Sequence, residues 1–194
     1  GNEVMGDYGP IIAFISFRVA EFRKPEFEVN VTTDKESYAN GETINATASA
    51  DLFFGAPLAG ADVHWKVTAQ PYIFAADGYS GYSFSDYHPY FNFDRSPSFE
   101  SQEFLRGEGV GKTDAQGRFA FSLPADISRD PISQTYIVEA TVTDQNKQSV
   151  ATFIGVPVHK GDFYIGMRPR DYVSLAGSTS AVDLVTLDPE GATA

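Results

Sequence analysis

Apolar and polar residues alternate with a period of two along much of this 194-residue chain, and no window keeps the 3.6-residue period of an amphipathic helix. A strand sends successive side chains to opposite faces, so such alternation marks half-buried strands. "FEVNVTT" sets Phe27, Val29 and Val31 against Glu28, Asn30 and Thr32. "INATASADL" does the same with Ile44, Ala46, Ala48, Ala50 and Leu52. "VHWKV" (Val63, Trp65, Val67), "RFAFSL" (Phe119, Phe121, Leu123) and "YIVEATV" (Tyr136, Val138, Ala140, Val142) repeat it. Turn formers lie between: "FGAPLAG" over 54–60, and "DAQG" over 114–117 with a Gly where positive φ is needed. Short strands of this kind predict an all-β chain, an antiparallel sandwich of the immunoglobulin type. Between Ala181 and Leu187 both phases are apolar, so the inward face there is open.

Composition narrows the function. With 42% hydrophobic and 14% aromatic residues the chain can bury a core. A formal charge of -12 is the wrong sign for gripping phosphate backbones, so nucleic acid is not an expected partner. "IIAFISFRVAEF" is interrupted by Ser16 and Arg18 and is shorter than the roughly 18 apolar residues of a membrane span. It reads as a buried strand. The absence of cysteine removes disulfides, thiolate metal sites and cysteine nucleophiles. The sequence opens on Gly1 with no basic stretch or cleavage site, so any export signal is expected to lie outside it.

"RKPEFEV" has an echo in "HKGDFYI": Lys24-Pro25-Glu26-Phe27 aligns with Lys160-Gly161-Asp162-Phe163. Each follows one strand and starts another, and a Tyr and a Gly follow each. Pro25 cannot donate to a ladder and holds Lys24 extended, so one strand ends there and the next begins in a new sheet. Tandem units are expected. Residues 1–24 would hold the last strand or strands of one unit, 25–159 a complete sandwich, and 160–194 the first strands of a third. Apolar strand edges would then be exposed at both ends, to pair with another copy or to fray.

At this length the residues resemble a family. "FRVAEFRKPEFEVNVTTDKESYANGETINATASADLFFGAPLAGADVHWKV", then "GKTDAQGRFAFSLP", "YIVEATVTDQNKQSV" and "GDFYIGMRPRDYVSLAG", in that order, are similar to the bacterial alpha-2-macroglobulin family. The resemblance covers the end of the second macroglobulin domain, the whole third and the start of the fourth. It implies a seven-stranded immunoglobulin- or fibronectin-like sandwich with partial neighbours at both ends. It also implies a periplasmic or extracellular broad-spectrum protease inhibitor, which a parent N-terminus could anchor to a membrane. In that family a protease cuts a bait segment and is trapped, often through a Cys-Gln thioester; bait and thioester are expected outside this chain. The expected partners are adjacent macroglobulin domains and, through the full-length protein, target proteases. No catalytic residue, cofactor or metal is expected.

Residues of about 70–109 form a long insertion between two strands, beyond ordinary loop length. Its aromatics Tyr72, Phe74, Tyr79, Tyr82, Phe84, Tyr87, Tyr90, Phe91 and Phe93 are the candidate contact surface, since such rings supply rigid amphipathic area. They could pack back on the sandwich, meet a neighbouring domain, or bind an outside ligand as in an adhesin-like or carbohydrate-binding module. Asp77, Asp86, His88 and Asp94 are the one oxygen and imidazole set suited to a cation, but their spacing fits no ligand loop. "GEGVGKT" (107–113) looks like a phosphate loop, yet Arg106 occupies the required first Gly and a turn and strand follow in place of a helix. "GYSFS" (81–85) lacks the last Gly of a nucleophile elbow. His64 and His159 are expected at the surface, Asp126 and Asp130 as turn caps, and the sequons at Asn30 and Asn45 as chance.

Overall fold

The computed structural model describes residues 26–84, 104–171 and 173–194. Residues 1–24, expected to end a preceding unit, lie outside the described residues, as do Asp86, Tyr87, His88, Tyr90, Phe91, Phe93 and Asp94. The described residues contain strands and no helix.

In chain order the strands are β1 (Phe27–Thr33), β2 (Tyr38–Ala39), β3 (Thr43–Leu52), β4 (Asp62–Pro71), β5 (Phe104–Lys112), β6 (Arg118–Pro124), β7 (Gln134–Thr143), β8 (Ser149–His159), β9 (Tyr164–Pro169) and β10 (Val182–Leu187). A three-stranded sheet of order β1-β3-β6 faces a five-stranded sheet of order β2-β8-β7-β4-β5. β9 and β10 form a separate hairpin. Two features differ from the expected seven-stranded antiparallel sandwich. The two sheets carry the two-residue β2 in addition to seven longer strands, and β2 pairs with β8 in parallel. The parallel pair arises because the chain leaves β1, turns at Asp34 and joins the opposite sheet alongside β8. Asp34 holds that turn. Its carboxylate accepts hydrogen bonds from the Tyr38 hydroxyl, the Asn45 amide at 3.1 Å and the Asn45 side chain at 3.0 Å.

The inward phase is the one the alternation gave. Ile44, Ala46 and Ala48 of β3 pack with Val67, Tyr136, Val138, Val156 and Val158 from the other sheet. The alanines of β3 keep the middle strand thin, so the larger side chains opposite can interdigitate at interior density. Each fully buried Ile, Val or Phe contributes about 1.5–3 kcal/mol over its exposed state. Trp65 stacks on Phe121 with ring centroids 4.5 Å apart.

β5 lies where an insertion was expected. β4 runs on through Pro71 and β5 starts at Phe104, so both ends of the expected stretch at about 70–109 are strand. The phosphate-loop lookalike lies along this edge strand, with Gly107, Gly109 and Gly111 on its inner face. A Cβ on Gly109 would come within 2.7 Å of the Trp65 Nε1, and one on Gly111 within 2.5 Å of the Phe119 Cζ. The alternate glycines admit two aromatic rings.

Ion pairing replaces capping at Asp130. The pairing of β4 with β5 shifts register between Val67 and Thr68. At that bulge Arg106 reaches the Asp130 carboxylate at 2.7 Å, and both side chains are largely buried. The guanidinium also lies over the Tyr136 ring, 5.6 Å from its centroid. Asp126 does cap its own turn, accepting from the Ser128 amide at 3.0 Å.

Candidate functional site: the aromatic junction

The first half of the insertion, residues 72–84, crosses from the end of β4 to the β9–β10 hairpin. Its sequence has no strand period, and Gly78 at φ 82 bends it through a turn. Ser83 then pairs with β9: its amide donates to the Met167 carbonyl at 2.8 Å, and the Met167 amide donates back to Ser83 at 2.9 Å. The segment thus extends the hairpin sideways, one bridge long.

The aromatic rings follow that path. Phe74 is buried, and Tyr72, Tyr79, Tyr82 and Phe84 are half-buried. Phe74 stacks on Tyr164 of β9 with centroids 4.0 Å apart and planes 4° from parallel. Phe84 meets Phe74 edge-on at 5.1 Å. Arg168 of β9 sits over the Tyr82 ring, 4.6 Å from its centroid, and pairs with Asp183 of β10 at 3.1 Å. Gly166 makes room for this. A Cβ there would stand 2.6 Å from Phe84 and 2.8 Å from Val185, so Phe84 rests on bare β9 backbone. Of β10's two apolar phases, Val185 and Leu187 are covered, while Val182 and Leu184 are exposed.

Beneath the rings runs a hydrogen-bonded row. The Tyr164 hydroxyl lies 2.7 Å from Nδ1 of His159 and 2.8 Å from the Ser133 hydroxyl, which also accepts the Lys160 amide at 3.0 Å. Tyr72 meets the His159 ring edge-on at 5.5 Å. His159 is buried, contrary to the surface position expected for it, because β8 carries it under this aromatic cover. Burial pushes its pKa down, opposed by the charge of Glu190, and burial pushes that of Tyr164 up. His64 is exposed, as expected. A shallow open cleft borders the row, lined by Tyr72, Phe74, Ser133, Lys160, Phe163 and Tyr164.

The geometry is one of packed rings and mutually hydrogen-bonded side chains. His159 faces a tyrosine hydroxyl in place of an activated nucleophile, and the serine of the row spends its oxygen on a backbone amide. Among the described residues no group of three or more His, Cys, Asp or Glu gathers to hold a metal ion, and Asp77 is exposed. No helix of the described residues is long and apolar enough to cross a membrane. Ser133, His159, Tyr164 and Gly166 were not singled out as contact residues from the sequence. The one signal near them was the repeated start at Lys160, where a new unit is expected.

Comparison with known proteins locates this architecture. No model of a protein family matches the chain. The alpha-2-macroglobulin homolog of Nostoc sp. is 27% identical over 179 residues, 90% of this chain and 9% of its own. An alpha-2-macroglobulin of Thermotoga maritima is 25% identical over 185 residues, 95% of this chain and 10% of its own. The chain resembles one segment of a bacterial alpha-2-macroglobulin. It spans about a tenth of the length of these curated relatives. The native conformation of Escherichia coli alpha-2-macroglobulin matches the fold with a TM-score of 0.62 at 19% identity, over 88% of this chain and 11% of that one. Salmonella alpha-2-macroglobulin reacted with methylamine matches at 0.63 and 18%, over 90% and 12%. The all-β architecture is therefore shared with the alpha-2-macroglobulins.

Proposed function

We propose that this chain is a wall segment of a bacterial alpha-2-macroglobulin-like, broad-spectrum protease inhibitor, not an enzyme. One observation carries the reading: sequence and fold both follow alpha-2-macroglobulins over some nine-tenths of the chain. The relatives extend far beyond the matched part, which supports a segment of a longer protein. On this reading residues 1–24 close a second macroglobulin domain, 25–159 form the third, and 160–194 open the fourth. The bait and any thioester belong to the rest of the parent, and the work is done in the periplasm or outside the cell. Target proteases would be met through the parent, which its own N-terminus could anchor to a membrane. The E. coli relative is described as activated by trypsin and by porcine elastase.

The candidate contact residues take the role of holding adjacent domains. Phe74, Tyr82 and Phe84 pack on β9, Tyr72 on His159 and Tyr79 on Tyr82 and Phe84, and that mutual packing speaks against an adhesin-like or carbohydrate-binding platform, which needs rings free in solvent. The reading is tested by mapping where a protease first cuts the full-length parent. The first cut is expected outside residues 1–194. A first cut inside them would make this segment the bait and overturn its role as a wall.

A further inference from the structure

We propose that residues 72–84 are a clasp that turns the joint at residues 160–163 into a fixed one, so the sandwich and the unit begun by β9 and β10 move as one body. The proposal rests on the contact role just assigned to these aromatics and not on protease trapping.

Motion is the default at such a joint. Domains joined end to end through a modest interface swing relative to each other unless something specific holds them. Residues 160–163 alone separate β8 from β9, and they include Gly161, which a hinge would use. The clasp opposes that swing at three places on the hairpin. Ser83 fixes β9 through two backbone hydrogen bonds, which set distance and direction together. Phe74 and Phe84 grip the neighbouring face, and Gly166 lets Phe84 sit flush on it. Arg168, already tied to β10 through Asp183, lies on Tyr82.

The sandwich grips the joint itself. Tyr164 is held from β8 by His159 and from the start of β7 by Ser133, while Ser133 also receives the Lys160 amide. The Lys160 ammonium contacts the carbonyl of Asp130, whose carboxylate is paired to Arg106 on β5. Three strands of the sandwich, β5, β8 and the entry to β7, therefore lead to the joint. Rotating it would break backbone bonds, ring stacking and the row of hydroxyls at once, so the contacts are all-or-none.

The chain has no native cysteine, so paired spin labels are unambiguous. Ser122→Cys on β6 with Leu184→Cys on β10 reports across the joint, and Ser122→Cys with Ala151→Cys reports within the sandwich. All three positions are exposed. The full 194-residue chain should give a cross-joint distance distribution as narrow as the internal control. Phe84→Ala, which adds no bulk, and Gly166→Val, which evicts Phe84, should each widen it by about twofold or more and leave the control narrow. A broad cross-joint distribution in the unmodified background overturns the fixed joint. A distribution that stays narrow in both variants overturns the clasp as its cause.

Discussion

Gly111→Ala separates packing from phosphate binding in the "GEGVGKT" stretch. The added methyl would sit within 2.5 Å of Phe119, at the place where the edge strands of the two sheets meet. Overpacking of a well-filled site costs about 1–3 kcal/mol. Alanine returns about 0.5–1 kcal/mol through the lower entropy of the unfolded chain. Three atoms of the Phe119 ring stand within 3.0 Å of that methyl, so the overpacking falls in the upper part of its range and the net loss is about 1–2.5 kcal/mol, which for a chain of this size lowers the melting midpoint by about 2–10 °C. Trp65, the single tryptophan, stacks on Phe121 one strand away and reports the transition by fluorescence. Phe119→Leu should partly rescue the variant: with a shorter side chain opposite, the double mutant loses less than the sum of the singles, a coupling of about 0.5–3 kcal/mol. ATP should leave every midpoint where it is. An unperturbed Gly111→Ala, strictly additive losses, or a midpoint raised by nucleotide would refute the packing argument.

Other outcomes follow from the junction and the β1–β2 turn. Phe74→Ala, removing a buried stacked ring, should destabilise the junction by about 3–5 kcal/mol, seen as lost hydrogen-exchange protection at the Ser83 and Met167 amides while β3 and β7 amides stay protected. His159 has a folded pKa below its ordinary 6.5, so the unfolded chain takes up the proton first as pH falls. Its contribution is complete above about pH 6.5 and is lost below, and His159→Gln should flatten that part of the stability profile. Asp34 is held down to about 2 from 3.8, chiefly by the Tyr38 hydroxyl, so its contribution is complete above pH 3.8 and lost as pH falls toward 2. Asp34→Asn should remove that acid limb in a denaturant titration across this range.

What could be read from sequence was what alternation encodes. The inward phases of β1, β3, β4, β6 and β7 were legible because each strand has one solvated and one buried face. β5 was hidden because its inner face is Gly107, Gly109 and Gly111, which carry no hydrophobic period. Its trace was indirect: glycines two apart, in a chain whose neighbouring strands carry Trp65 and Phe119. β2 is too short for any period, and its parallel pairing depends on the turn at Asp34. The junction was harder still. Phe74 and Tyr164 are far apart in the chain, so their stacking is a tertiary fact, and His159 looked like a surface residue because nothing adjacent in sequence covers it.

The claim that this segment belongs to a protease trap is tested most directly on the full-length parent. A protease is incubated with it, and the remaining cleavage of a protein-sized substrate is compared with that of a small chromogenic peptide. The account predicts that protein cleavage is lost while peptide cleavage survives, because the enzyme is caged but active. Survival of both activities would contradict it.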